Sequence, residues 1–292
     1  MDINYELYKV FYYVATTLSF SEASKQLYIS QSAVSQSVKV LEKKLNQHLF
    51  IRSTKKVSLT PEGEILLKHI EPAINLIKRG ETQIIESNSL NGGQLRIGAS
   101  DTICRYFLVP YLNNFHKQYP NVHIKVTNQS SINCAKLLEG GQVDLIITNY
   151  PNSGLSNVNN IRVIKEFHDL FLASKNYYPE LENKTMTLKS LCSYPILMLD
   201  RRSTTSEFLH NIFQQRQLDL VPEIELSSND LLIDLARIGL GVAFLPDFCI
   251  PEMPDDLFIV NTDEVLPHRQ LVVAFNENLP VSQSTKKFID SL

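Results

Sequence analysis

The residues whose types and spacing most directly imply chemistry lie between Phe20 and Phe50. Val34, Val38, Leu41 and Leu45 recur at i, i+4, i+7 and i+11, the apolar stripe of one helix. Gln31, Ser32, Ser35, Gln36, Lys39 and Lys43 occupy its other face. Glutamine and serine both donate and accept hydrogen bonds. A solvated helix face is more often built from Glu and Lys, whereas Gln and Ser running into Lys suit base edges and phosphates in a major groove. Ser30 is placed to cap this helix. Residues 49–59 read as two short β segments around a basic tip, a wing whose Arg52, Lys55 and Lys56 would reach phosphates or a minor groove.

Elements must hold that face in place. Leu7, Phe11, Val14 and Leu18 mark a first helix over 3–18. Ser19 and Glu22 match the S-x-x-E capping pattern, so a second helix is expected to start near Ser21. Its small Ala23 suits close packing, and residues 28–30 make the turn into the Gln/Ser helix. Thr60 and Pro61 then open a long helix, with Glu62 and Glu64 complementing its dipole. Its apolar pattern through Leu66, Leu67, Ile70, Ile74, Ile77, Ile84 and Ile85 reaches about Ser87, with few reasons to bend. A rod of roughly 25 residues spans about 40 Å and must bury its stripe, so pairing with a second copy is expected.

Composition sets the frame. The chain of 292 residues is comfortable for two or three domains. No apolar run approaches the ~20 residues of a membrane span, and the start lacks signal-peptide features, so a cytoplasmic location is expected. Net charge is −3, yet residues 1–60 hold eight Lys/Arg against four acids, +4, which leaves −7 for the rest. A basic head on an acidic body fits one end meeting phosphate. Cys104, Cys134, Cys192 and Cys249 show no metal-ligand spacing and are expected to be buried, reduced thiols; no metal or cofactor is implied.

After Asn91-Gly92-Gly93 the pattern alternates. Strands are expected at 95–98, 122–126, 143–148, 167–174, 195–199, 223–226, 242–245 and 271–275. Helices are expected at 103–118, 132–139, 204–217, 230–238 and 282–291. This predicts open, mostly parallel α/β sheets in two subdomains.

With these residues in hand, the chain resembles the LysR-type transcriptional regulators. The matching series is F11-x-x-V14-A15, S19-F20-S21-E22-A23-S24-x-x-L27, I29-S30-Q31-S32-A33-V34-S35-Q36-S37-V38, L41-E42-x-x-L45, L49-F50-x-R52 and L59-T60-P61-x-G63. The resemblance implies a winged helix-turn-helix over 1–60, a dimerising linker helix over 61–90 and a periplasmic-binding-protein-like effector domain over 91–292. Within that domain, subdomain I would hold 92–163 and 269–292 and subdomain II 164–268, hinged near Arg162–Lys165 and Pro267–Arg269. DNA contacts would fall on Gln31, Ser32, Ser35, Gln36 and Arg52. Many members have a basic residue where this chain has Gln36. Implied partners are double-stranded DNA, a small-molecule effector, a second and a fourth copy of the chain, and RNA polymerase.

Open α/β sheets bind ligands beyond the C-terminal ends of their strands. The expected turns there carry Ser100-Asp101-Thr102, Asn128-Gln129-Ser130-Ser131, Thr148-Asn149 and Asp200-Arg201-Arg202-Ser203-Thr204. Each serine alone could be a plain helix cap. Together they point to a small polar ligand, anionic if the helix starts dominate, with Arg201 or Arg202 completing a carboxylate site and Asp101 either repelling an anion or holding an ammonium group, so an amino-acid-like or carboxylate metabolite is expected. Asp247 reads as a helix cap. No G-x-S-x-G, P-loop, G-x-G-x-x-G or H-E-x-x-H motif favours an enzyme. A solute-binding module without DNA function is the alternative reading.

Overall fold

The computed structural model describes residues 3–52, 56–88, 93–156, 158, 160–276 and 281–292. They form two compact units, one built on residues up to 88 and one mainly on 93–139 and 143–292.

The first unit begins with α1 (Tyr5–Thr17), α2 (Phe20–Leu27) and α3 (Gln31–Leu45). Local capping sets each start. Asn4 Oδ1 accepts from Glu6 N, Ser19 Oγ from Glu22 N and Ser30 Oγ from Ala33 N. α2 starts at Phe20, one residue ahead of the expected Ser21, and only half of its capping box forms. The Ser19 N–H goes to Thr17 Oγ1, and the Glu22 carboxylate pairs with Lys25. Leu18, Tyr28 and Asn46 end the three helices in the left-handed region. Phe11, Val14, Ala23, Val34, Val38 and Leu41 are all buried in one core.

β1 (Phe50–Arg52) and β2 (Val57–Leu59) pair antiparallel as the wing, and α4 (Pro61–Asn88) follows. The Gly63 of the L-T-P-x-G series has a steric reason. A Cβ there would lie 2.2 Å from the Leu49 carbonyl oxygen. The helix runs unbroken to Asn88, as the apolar pattern implied, although Pro72 sits inside it and has no N–H to give the carbonyl four residues back. Leu66 and Leu67 pack on the three-helix core, while Ile65, Leu76 and Ile77 are exposed. Among the described residues, no helix is long and apolar enough to cross a membrane.

The second unit holds two sheets. Strands β3 (Gln94–Ala99), β4 (His123–Asn128), β5 (Leu145–Tyr150), β6 (Asn160–Phe167) and β13 (Arg269–Phe275) give the order β4-β3-β5-β13-β6. Strands β7 (Asp169–Ser174), β8 (Thr185–Met186), β9 (Ile196–Leu199), β10 (Ile224–Leu226), β11 (Val242–Pro246) and β12 (Leu257–Thr262) give β10-β9-β11-β7-β12-β8. Both sheets follow one plan. Three parallel strands (β4-β3-β5 and β10-β9-β11) are extended by antiparallel ones, β13 with β6 and β7 with β12. The sheets are therefore mixed rather than mostly parallel. Each takes its antiparallel strand, β7 or β13, from the chain segment that has just crossed from the other sheet.

The helices are α5 (Asp101–Ile103), a π-helical turn at Cys104–Leu108, α6 (Val109–Gln118), α7 (Ser131–Glu139), α8 (Leu188–Leu191), α9 (Thr204–Gln215), α10 (Asn229–Arg237) and α11 (Gln283–Asp290). A continuous buried cluster runs from Leu95 and Ile97 of the first sheet through Phe167 to Leu172 and Leu197 of the second.

The first crossover also differs from expectation. Arg162–Lys165 lie within β6, and the chain passes between sheets at the single residue His168. The return passes through His268, whose ring centroid lies 3.9 Å from that of His168. β6, β8 and β12 were missed in the sequence, although the alternation of apolar and polar residues in IRVIKEF is itself a strand signal.

Candidate DNA-binding and effector sites

The apolar stripe of α3 turns inward, with Val34, Val38 and Leu41 fully buried. That rotation leaves Ser30, Gln31, Ser32, Gln36 and Lys39 exposed on the opposite face and Ser35 half-buried. Ser30 and Ser32 hydroxyls are 2.9 Å apart. The wing is fastened to this helix by Glu42. Its Oε1 accepts from the N–H of Leu49 at 2.9 Å, and its Oε2 from Arg52 Nη2 at 3.2 Å. Arg52 also donates to Ser35 Oγ at 3.3 Å and lies 4.7 Å from the Phe20 ring centroid. A helix face of hydrogen-bonding side chains thus stands beside a basic hairpin, the arrangement that enters a major groove and grips the flanking phosphates.

In the second unit, the C-terminal ends of the parallel strands of both sheets open on one cavity of about 390 Å³. From the first sheet come Ser100, Asp101, Thr102, Asn128, Gln129, Ser130, Ser131 and Asn149. From the second come Asp200, Ser203, Thr204, Thr205, Ser227, Ser228, Asn229 and Pro246. Two amides bridge the subdomains reciprocally. Asn149 Nδ2 donates to Thr204 Oγ1 at 3.4 Å, and Asn229 Nδ2 to Thr102 Oγ1 at 2.8 Å. Beside them Asp230 accepts from the Tyr106 hydroxyl at 2.5 Å and from Arg105 at 3.3 Å. The π-helical turn carries both donors. Burial and the bond to Asp230 push the Tyr106 hydroxyl pKa upward.

Behind the cavity, Thr205 Oγ1 accepts from Arg269 Nη1 at 3.2 Å. That guanidinium is paired at 3.0 Å with Asp169, the residue after the first crossover. Asp169 is fully enclosed, so burial pushes its carboxyl pKa up while the Arg269 charge opposes. Asp247 also works at the crossover. Its carboxylate accepts from His168 N and its own N–H donates to His168 O, so it is not the expected helix cap: the short turn Asp247–Cys249 has no side-chain cap bond.

A family model for the bacterial regulatory helix-turn-helix of the lysR family matches residues 5–64, and one for the LysR substrate binding domain matches residues 88–292. The chain belongs to the LysR family. It is a LysR-type DNA-binding transcriptional regulator. It is similar to a protein named probable RuBisCO transcriptional regulator from Synechocystis sp. (strain ATCC 27184 / PCC 6803 / Kazusa), at 31% identity over 94% of this chain and 81% of that one. Full-length CbnR, solved in complex with its target DNA, shares the fold with a TM-score of 0.66 at 16% identity, covering 99% of this chain and 98% of that one. The regulatory domain of CcmR from Synechocystis PCC6803, solved with 2-PG, gives a TM-score of 0.61 at 21% identity over 68% of this chain and 95% of that one.

For this LysR-type regulator the structure sorts the expected residues. Gln31, Ser32, Ser35, Gln36, Lys39 and Arg52 come together on the α3 face and wing, with Lys56 exposed at the start of β2; Lys55 lies outside the described residues. Ser100, Asp101, Thr102, Gln129, Ser130, Ser203 and Thr204 all line the cavity. Thr148, Arg201 and Arg202 do not. Side chains alternate along a strand, so Thr148 points away and accepts from Asn152 at 2.8 Å, while its neighbour Asn149 faces the crevice. An Asp200 turn, with Arg202 N donating to Asp200 Oδ1, leaves both arginines exposed.

Asn149, read at the end of its strand, was not among the expected effector contacts, and Thr205 and the Ser227–Asn229 turn were missed. The last had a signal, since Ser228 caps α10 after β10 as Ser203 caps α9 after β9. Cys192 is exposed rather than buried. Burial pushes the thiol of Cys104 up to about 11 and that of Cys134 up to about 12, which keeps both protonated.

Proposed function

We propose that this regulator reads its operator through Ser30, Gln31, Ser32, Ser35, Gln36 and Lys39 of α3, with Arg52, Lys55 and Lys56 on the backbone. Its response is set by a small polar effector held in the crevice by Ser100, Thr102, Gln129, Ser130, Asn149, Ser203, Thr204 and Asn229. The observation that carries the reading is the pair of reciprocal bonds across the crevice, Asn149 to Thr204 and Asn229 to Thr102. A ligand that enters competes with or reinforces these bonds, so it binds one angle between the subdomains better than others and shifts their population. The exposed Ile65, Leu76 and Ile77 of α4 support a homodimer through that helix, and two dimers form the tetramer that spans paired half-sites. The assembly works in the cytoplasm and acts on RNA polymerase at the adjoining promoter.

The test uses the full chain, DNA selected by it from a random pool, and a panel of small polar metabolites screened by thermal shift. Thr204→Val should lower the response to a stabilising metabolite at least ten-fold while leaving affinity for the selected DNA within about two-fold. Loss of DNA binding with an intact metabolite response would overturn the assignment.

A further inference from the structure

The crevice carries a particular balance of charge and hydrogen-bonding groups. Three helices of nine or more residues begin at it, α7 after Ser130, α9 after Ser203 and α10 after Ser228. Each helix start presents N–H groups without intrahelical partners and about half a positive charge. Against them stand two carboxylates in the lining, Asp101 and Asp200. Among the described residues, no Lys, Arg or His lines the cavity. Both candidate arginines of the 200–203 turn stay outside it.

A second observation is independent of the helix starts. Asn149 and Asn229 are 7% and 3% exposed, and both line the cavity. Each spends its amide N–H on a threonine across the crevice. Each keeps an Oδ1 with no hydrogen-bond partner among the described residues. A buried acceptor left without a donor is unfavourable, and a ligand that brings N–H donors would satisfy both.

We infer that the effector is a small zwitterion of the α-amino acid type. Its carboxylate faces the serine-capped helix starts, and its ammonium faces Asn149 and Asn229 within the field of Asp101 and Asp200. The inference rests on the crevice being the effector site, as proposed above. A dianion meets two aspartates and no side-chain cation here. A simple amine leaves the helix starts without their anion. Only a molecule carrying both charges answers both sets of groups, and the cavity of about 390 Å³ is at the small end of ligand sites.

The test is calorimetric titration of the full-length protein with the twenty common L-α-amino acids. The tightest binder is then compared with its 2-hydroxy acid, with the amine lacking its carboxylate, and with 2-phosphoglycolate as a compact anion without an amine. At least one amino acid should bind, and each analogue should bind at least ten-fold more weakly. Asp101→Asn, an exposed and nearly isosteric change, and Asn229→Leu should each weaken the amino acid at least five-fold. An analogue binding as tightly as any amino acid, or no amino acid binding at all, overturns the zwitterion. In that case the crevice reading survives if Thr204→Val abolishes whatever binding is seen. Amino-acid binding unchanged in both Thr204→Val and Asn229→Leu would place the ligand elsewhere and overturn both.

Discussion

Asp169→Ala should destabilise the effector unit by about 3–5 kcal/mol, the cost of leaving a buried charge without its partner. The environment of Arg269 sets this magnitude. Its side chain and that of Asp169 are 0% exposed, and Nη1 lies 3.0 and 3.2 Å from the two carboxylate oxygens. Nε and Nη2 have no hydrogen-bond acceptor among the described residues. The guanidinium carbon instead lies 4.9 Å from the Phe208 ring centroid and 5.2 Å from that of Phe167. Once the carboxylate is gone, the Thr205 hydroxyl and two ring faces are the direct contacts left to the guanidinium among the described residues. Domain stabilities are about 5–15 kcal/mol, so the loss removes a large share. The chain has no Trp, so unfolding in urea is best followed by far-UV circular dichroism. With a slope of about 3 kcal/mol per molar, the effector-unit midpoint should fall by roughly 1–1.7 M. The double variant Asp169→Leu/Arg269→Met removes the charge together with its partner and should recover most of the loss. A single-variant shift below about 0.3 M would refute the reasoning. A double variant as unstable as the single would show that packing, rather than the unpaired charge, sets the cost.

Four further outcomes follow from the first unit. Gln31→Ala should weaken specific DNA binding by about 1–3 kcal/mol with little change in non-specific binding, read as the ratio of affinities for selected and random duplexes. Glu42→Ala strands the Leu49 N–H and releases Arg52, so it should lower the thermal stability of the head, by about 1–3 kcal/mol, and weaken DNA binding through the loosened wing. Gly63→Ala forces a Cβ onto the Leu49 carbonyl and should cost roughly 1–3 kcal/mol, measured by chemical denaturation. In assembly, Ile65 and Leu76 lie eleven residues apart, about three turns, on one exposed face of α4. Ile65→Asp with Leu76→Asp should give monomers in light scattering; retained dimer mass would rule out that face as the main contact.

What the sequence determined by itself was local. Ser19, Ser30, Ser203 and Ser228 cap helices through bonds to N–H groups three residues on, so their roles depend on no distant partner. The stripe Val34–Val38–Leu41 turns inward because helical period is fixed by the backbone, and the Gln/Ser face was legible for the same reason. The turns after β3, β4 and β9 were readable as one polar crevice because open parallel strands present their C-terminal ends together. Tertiary structure decided the pairings between distant segments. Nothing near Arg269 in sequence announces a pairing with Asp169, 100 residues away, and nothing near Asn229 announces Thr102, 127 residues away. β13 enters the first sheet antiparallel only because the chain has returned from the second, a choice made by strand pairing and burial rather than by local propensity. The same holds for Thr148 and Asn149. Both are polar and adjacent, and only the packing of the strand settled which one faces the crevice.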